Sequence, residues 1–476
     1  MCRYLAMLLL LSTALPASAG QVPGLASAPD IAISHHDRFY TSDQFSNTVS
    51  VIEPVDNKLL GVIRLGDTTP GNLSPLYKGQ LLVHGMGFSP DHRTLAAISI
   101  GSNSVTFIDT QTNAVKHVTY VGRAPHEAFF TPDGKEVWVS VRGENYIAVL
   151  DGKTFREVSR ITVPNGPGMT IFSPNGKYGY VCSSFTPETV VIATASHKIV
   201  GHIKQVSPFC PDIAATPDGK QVWLTLKDVG KTMVFNAHSP FNILKVLDTG
   251  PITNHVNIVA NSKGQFAYVT IGGLNAVKVF RTNDFGEVAT ISTGALPHGI
   301  WPSGDGSRIY VGLENADAAA VIDTLTNKVI ATIPLGQAPQ GVAYVPDAVP
   351  EGDGLTGLQP LSLAESAAHL HLGADGKTQT QVTLFNQGLV QVLQAAATGL
   401  MPKSPYVLAL ADDDHGGGKL QPLAAFMTNP AGAAIVNALG PIQQVMLGEG
   451  TQTRRYLVIL PGKLGSLGAA VQTQLP

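Results

Sequence analysis

Apolar and polar positions alternate along most of this chain in runs of about six residues, and the runs come in sets of four separated by turn chemistry. One set shows the plan. Ala128-Phe129-Phe130 is a first apolar run, and Pro132-Asp133-Gly134 is a turn that needs a positive φ at its glycine. Lys135-Glu136-Val137-Trp138-Val139-Ser140-Val141 then places apolar residues at alternate positions, as a strand with a two-residue period requires. Gly143-Glu144-Asn145 turns the chain into Tyr146-Ile147-Ala148-Val149-Leu150-Asp151, and Val158-Ser159-Arg160-Ile161-Thr162-Val163 completes four strands. The first turn of each set is marked at Pro90-Asp91, Pro132-Asp133-Gly134, Pro174-Asn175-Gly176, Pro217-Asp218-Gly219, Ser262-Lys263-Gly264, Gly304-Asp305-Gly306 and Pro346-Asp347, with spacings of 42, 42, 43, 45, 42 and 42 residues. A β-rich repeat of that length predicts the blades of a propeller.

Phrases such as Tyr268-Val269-Thr270, Tyr310-Val311-Gly312 and Ser46-Asn47-Thr48-Val49-Ser50-Val51-Ile52 resemble the YVTN-type β-propeller repeat family over residues 38–348. The resemblance implies a fold and leaves the chemistry open. The two ends of the array set the blade count. Residues 38–66 hold outer strands with no inner strand before them, and Gly341-Val342-Ala343-Tyr344 is an inner strand with nothing after it. Six complete units and one composite blade closed by both ends give seven blades and no open edge.

Composition then fixes the setting. Arg3, the run Leu8-Leu9-Leu10-Leu11 and Ala17-Ser18-Ala19 read as a secretory signal over residues 1–19, followed by an N-terminal segment, residues 20–37. No later apolar stretch is long enough to span a membrane, so the expected location is periplasmic or secreted. A net charge of −3 with only 14% charged residues argues against nucleic-acid binding. Pro346, Pro350, Gly352, Gly354, Gly357 and Pro360 mark a linker, residues 349–361. Residues 362–476 lack the blade signature. Their short runs, Ala367-Ala368-His369-Leu370-His371-Leu372, Gln381-Val382-Thr383-Leu384-Phe385, Tyr406-Val407-Leu408-Ala409-Leu410 and Tyr456-Leu457-Val458-Ile459-Leu460, predict a β-sandwich-like accessory or adhesive domain, with residues 431–438 as a short helix or loop.

Laying the repeats over one another brings out candidate chemistry. Six residues before each turn stand His84, His126, Gly168, Pro211, Val256, His298 and Gln340, with His255 displaced by one. That position begins the innermost strand and faces the channel mouth, so His298, Gln340, His84 and His126 fall on four consecutive blades. Neutral imidazoles gathered there suit a transition metal such as copper or zinc; equally, they suit a hydrated lining or an organic-ligand pocket. The ends of the second strands offer Asp43, Arg142, Ser184, Lys227 and Glu314 on the same face. In propeller hydrolases such as lactonases a histidine, an arginine and an acid at the mouth polarise an ester carbonyl and move a proton, which makes Arg142, Glu314 and His126 the catalytic candidates.

Cys182 and Cys210 fall on neighbouring blades and, in an exported chain, suggest a disulfide. The absence of Cys-x-x-Cys-His excludes covalent c-type haem. His35 and His36 form an N-terminal pair, and Trp138 and Trp223 share a register suited to packing between blades. Two functions follow. One is an exported binding or scaffold protein whose channel mouth holds a small ligand, a metal ion or a protein partner. The other is a metal-dependent redox or hydrolytic enzyme using the channel histidines.

Overall fold

A computed structural model describes residues 31–66, 81–361, 367–386, 390–442 and 454–476. The signal read in residues 1–19 lies outside them. Seven four-stranded antiparallel sheets follow one another along the chain. Six are sequential: blade one opens at Val83–Phe88, blade two at Pro125–Phe130, blade three at Pro167–Phe172, blade four at Ile213–Ala215, blade five at Thr253–Asn261 and blade six at Pro297–Pro302. The composite blade joins Pro339–Val345 to Arg38–Asp43, Thr48–Glu53 and Lys58–Arg64, in register Phe39↔Tyr344 and Tyr40↔Ala343.

Local chemistry makes each blade. At four of the repeated turns a Ser or Thr hydroxyl bonds the Asp or Asn two residues on, as from Thr131 to Asp133 at 2.7 Å and from Thr216 to Asp218 at 2.7 Å, and the following glycine takes a φ of 66–68°. Only a residue without a Cβ adopts that conformation freely. The three inner strands of each blade are buried, whereas the outer strand alternates, as in the partly exposed Lys328–Pro334. Each outer strand carries a register shift against its neighbour, at Val51/Ile52, Phe107/Ile108, Val149/Leu150, Val191/Ile192, Val234/Phe235, Val279/Phe280 and Val321/Ile322. Bulges of this kind increase local twist and blunt an exposed edge. Trp138 and Trp223 are fully buried; Trp138 meets Phe172 of the next blade edge-on at 5.0 Å, and Trp223 packs on Phe285 at 5.8 Å. Each indole N–H is satisfied, by Glu136 and Gln221 respectively.

The linker is tied down rather than loose. Arg38 donates to the Asp353 carbonyl, Asn113 donates to Gly354 and Thr356, and Gln359 bridges to Val62 on the outer strand of the composite blade. The second domain is all β, its strands forming one continuous sheet from Gln421–Met427 at one end to Ala434–Gly440 at the other. The sheet nearly closes on itself around a core that includes Leu372, Leu384, Leu393, Leu408, Val436 and Ile459. Within residues 431–438, expected as a short helix or loop, the chain instead enters the strand Ala434–Gly440, paired with Gln391–Ala397. The alanines there supply no apolar alternation strong enough to announce a strand, and the partner strand imposes it.

Candidate functional site at the channel mouth

The inner strands begin close together because glycine follows the channel-facing residue in several blades. A Cβ on Gly85 would stand 2.0 Å from the His126 carbonyl, and one on Gly341 would stand 2.2 Å from that of His84. Where blade two carries Glu127 in place of this glycine, the carboxylate occupies the room that Gly85 leaves.

His84, His126, His255 and His298 all lie at this level, and none exposes more than 6% of its surface. Their rings form an arc: His255 to His298 at 4.5 Å between centroids, His298 to His84 at 6.0 Å and His84 to His126 at 4.4 Å. His298 Nδ1 lies 3.2 Å from the Gln340 carbonyl. Nδ1 of His84, Nδ1 of His126 and Nε2 of His255 are buried without a hydrogen-bond partner among the described residues. Burial, reinforced by the charges of Arg142 and Lys227 and by neighbouring imidazoles, holds His84, His126 and His298 well below the usual histidine range. Burial and Lys227 bring His255 to about 3. The arc is therefore neutral at physiological pH, with ring nitrogens free to accept or ligate.

The arc does not gather all four imidazoles round one point. The ligand atoms that come within 4.8 Å of one another belong to His84, His126 and Glu127. Glu127 was not anticipated from the sequence, although its signal was present: it is the acid standing where other blades have glycine. Below the arc a small cavity, with about 20 Å³ open to the centre of a water molecule, is lined by Glu127, Asp212, His255, Asn257, Met86 and Met169 among others. That is room for about one water. Burial raises Asp212 to about 8, and burial together with Asp212 raises Glu127 well above the carboxylate range.

Above the arc the second-strand ends divide. Asp43 turns into its own blade, accepting from Thr41 at 2.8 Å, Thr48 at 2.8 Å and Ser50 at 2.7 Å. Ser184 donates to the Cys210 carbonyl at 3.2 Å. Glu314 is buried, and burial raises its pKa against the opposing effects of Lys227 and of hydrogen bonds from Gln340 and Gln394. Gln394 belongs to the second domain, which therefore reaches the mouth itself. Further contacts seat that domain on blades five, six and the composite blade: Phe45 stacks on Phe385 at 3.9 Å, His369 pairs with Asp317 at 3.2 Å, and Ile252 and Leu296 bury against Ala396 and Ala433. The mouth is half covered. On the other side Arg142 lies over the rings of Phe209 at 5.0 Å and Phe185 at 5.8 Å, and Lys227 over Phe209 at 6.0 Å.

The three catalytic candidates are thus not joined into one hydrogen-bonded set. Arg142 and His126 share the open side, and Glu314 is held under the second domain by other partners. Cys182 and Cys210 are disulfide-bonded, with Cα atoms 6.0 Å apart, between blades three and four. His35 and His36 are occupied, by Glu53 at 2.9 Å and the Val349 carbonyl at 2.7 Å. No helix among the described residues is long and apolar enough to cross a membrane.

Comparison with known proteins bears on the propeller. Residues 79–183 match the cytochrome D1 heme domain family. The matched stretch is less than a quarter of the chain, and it holds His84 and His126. Kuenenia stuttgartiensis hydrazine synthase superposes with a TM-score of 0.52 at 21% identity, covering 60% of this chain and 94% of that one. A functionally unknown protein from Desulfotomaculum acetoxidans gives 0.54 at 16% identity, covering 64% and 98%. The periplasmic gluconolactonase of Pseudomonas aeruginosa gives 0.51 at 17% identity, covering 65% and 99%. These likenesses establish the propeller fold. No functionally curated protein matches the chain.

Proposed function

We propose that this is an exported binding protein that takes a small ligand into a half-covered propeller mouth, with the histidine arc as the polar floor of the site. The observation that carries the reading is the set of buried, unpartnered nitrogens on His84, His126 and His255. An unsatisfied buried polar group costs about 1–3 kcal/mol, and folded proteins keep few of them without a bound partner or water. The disulfide and the fold shared with a periplasmic enzyme support a periplasmic or secreted location.

The family matched by residues 79–183 is named for a haem, and the mouth fits one poorly. The imidazoles pack against each other at 4.4–4.5 Å, and Gln394 of the second domain hydrogen-bonds Glu314 at the same mouth, which leaves a macrocycle only the uncovered half to lie on. A single metal ion is the better-supported second reading, because His84, His126 and Glu127 bring three ligand atoms within 4.8 Å. Such an ion would replace the proton on Glu127 and coordinate the free nitrogens of the two imidazoles.

Elemental analysis of mature protein, purified without chelator or a histidine tag, tests the two readings together with thermal shift against a small-molecule library. Ligand-induced stabilisation lost in the triple variant His84→Ala, His126→Ala, His298→Ala supports the binding reading. Stoichiometric zinc or copper lost in the same variant supports the metal reading. Stabilisation that survives the triple substitution overturns the histidine floor.

A further inference from the structure

The uncovered half of the mouth carries two cations that nothing in the fold neutralises. The Arg142 guanidinium makes no hydrogen bond or ion pair among the described residues; its only close contacts of note are the faces of Phe185 and Phe209. Lys227 lies over Phe209 and likewise has no carboxylate within ion-pair distance among the described residues, Glu314 influencing it only from further off. Both side chains are half-buried, and burial lowers Arg142 to about 10 and Lys227 below the usual lysine range. Two half-buried cations, neither within ion-pair distance of a carboxylate among the described residues, are partly desolvated at a cost that an anionic partner would recover.

From this placement we propose that Arg142 and Lys227 form an anion site for a small organic carboxylate, whose body lies between Phe185 and Phe209 and whose inner end meets His84 and His126. The proposal rests on the binding reading above and adds the ligand's class. Its chemistry follows from the side chains. A guanidinium pinned by aromatic faces presents its edge, and that edge matches a planar carboxylate with two parallel N–H···O bonds. Lys227 adds a second positive charge without demanding a fixed geometry. Phe185, 59% exposed, is an apolar wall with no core to complete, as an organic body entering from solvent would require. The neutral imidazoles beyond offer hydrogen-bonding nitrogens and no charge to repel or neutralise the acid. An inorganic oxyanion would use the two cations and leave the aromatic walls without a role.

Isothermal titration of the full mature chain tests this with acetate, succinate, benzoate and cinnamate, their neutral amides, and inorganic phosphate, at low and high salt. The expected result is binding of one or more of the acids bearing an apolar body, at least about tenfold tighter than the matching amide and weakened at high salt. Arg142→Gln should weaken it by about tenfold or more, Arg142→Lys by less, and Lys227→Met by a smaller factor. Circular dichroism and melting temperature of each variant separate lost binding from lost fold. Amides that bind as tightly as acids, phosphate that binds more tightly than every carboxylate, or an unchanged Arg142→Gln would each overturn the proposal while leaving the histidine floor intact. Failure of every acid to bind parent protein would also overturn it, and the thermal-shift and elemental measurements decide separately whether the binding reading survives.

Discussion

The two halves of the channel mouth are stabilised by different means. On blades five, six and the composite blade the second domain buries Ile252, Leu296 and Phe45 and brings Gln394 to Glu314, so the strand ends there are covered chiefly by apolar area. On blades two to four Arg142 and Lys227 stay unpaired against Phe185 and Phe209. That half also contains the shortest inner strand of the ring, Ile213–Ala215, and the disulfide fixes the segment leading into it. A covalent tie can order a segment without covering it. The difference teaches that one half has been closed by packing, and that the other is held by a covalent tie and left uncovered by the second domain.

The largest test of that contrast attacks the packed half. Leu296→Asp puts a carboxylate into a fully buried contact between domains and should destabilise the chain by about 4 kcal/mol, with proteolysis of the linker accelerating as the second domain lifts; urea denaturation and limited digestion read both. Next comes the tie on the open half. The bonded cysteines are 28 residues apart in sequence, and the double substitution Cys182→Ser, Cys210→Ser should cost about 3 kcal/mol, seen as a lowered denaturation midpoint. If both changes left stability alone, the contrast would be one of appearance only.

A subtler effect concerns Asp43, beneath the covered half. Burial raises its folded-state pKa to about 7, from the ordinary aspartate value of about 4, despite three hydroxyl donors. The folded state then binds the extra proton between those values, so this group's contribution to stability declines as pH rises from about 4 through 7. Asp43→Asn should flatten that slope, and denaturation at pH 5 and pH 8 checks it. The smallest effect is expected at Phe185. Because it is exposed, Phe185→Ala should change stability by less than about 0.5 kcal/mol, in contrast to Leu296→Asp.

The blades were legible because most repeat one sentence of chemistry: a hydroxyl, an Asp or Asn and a glycine at the turn, as at four of the seven, with alternating strands on either side. Counting back from that turn found His84, His126 and His298 by register alone. His255 stood one residue off, and the reason is visible in blade five, where the inner strand runs on to Asn261 and delays the turn, so that Asn254 takes the register of the other histidines and His255 that of Glu127. Glu127 and Asp212 escaped notice because a charged residue in the blade pattern resembles a solvated rim residue until the channel is assembled around it. The second domain resisted for another reason. Its strand residues Gln394 and Ala396 serve the propeller as well as their own sheet, and no local pattern in residues 362–476 announces a partner so far away in sequence.

The composite blade bears on time as well as on shape. Phe39 cannot meet Tyr344 until nearly all of the propeller has emerged, so the ring's closing contact spans one of the longest loops the chain can form. The first outer strands must wait, unpaired on their inner side, for the last inner strand to arrive. Loop-closure entropy therefore makes this pairing the last contact expected in the ring, after the six sequential blades have formed.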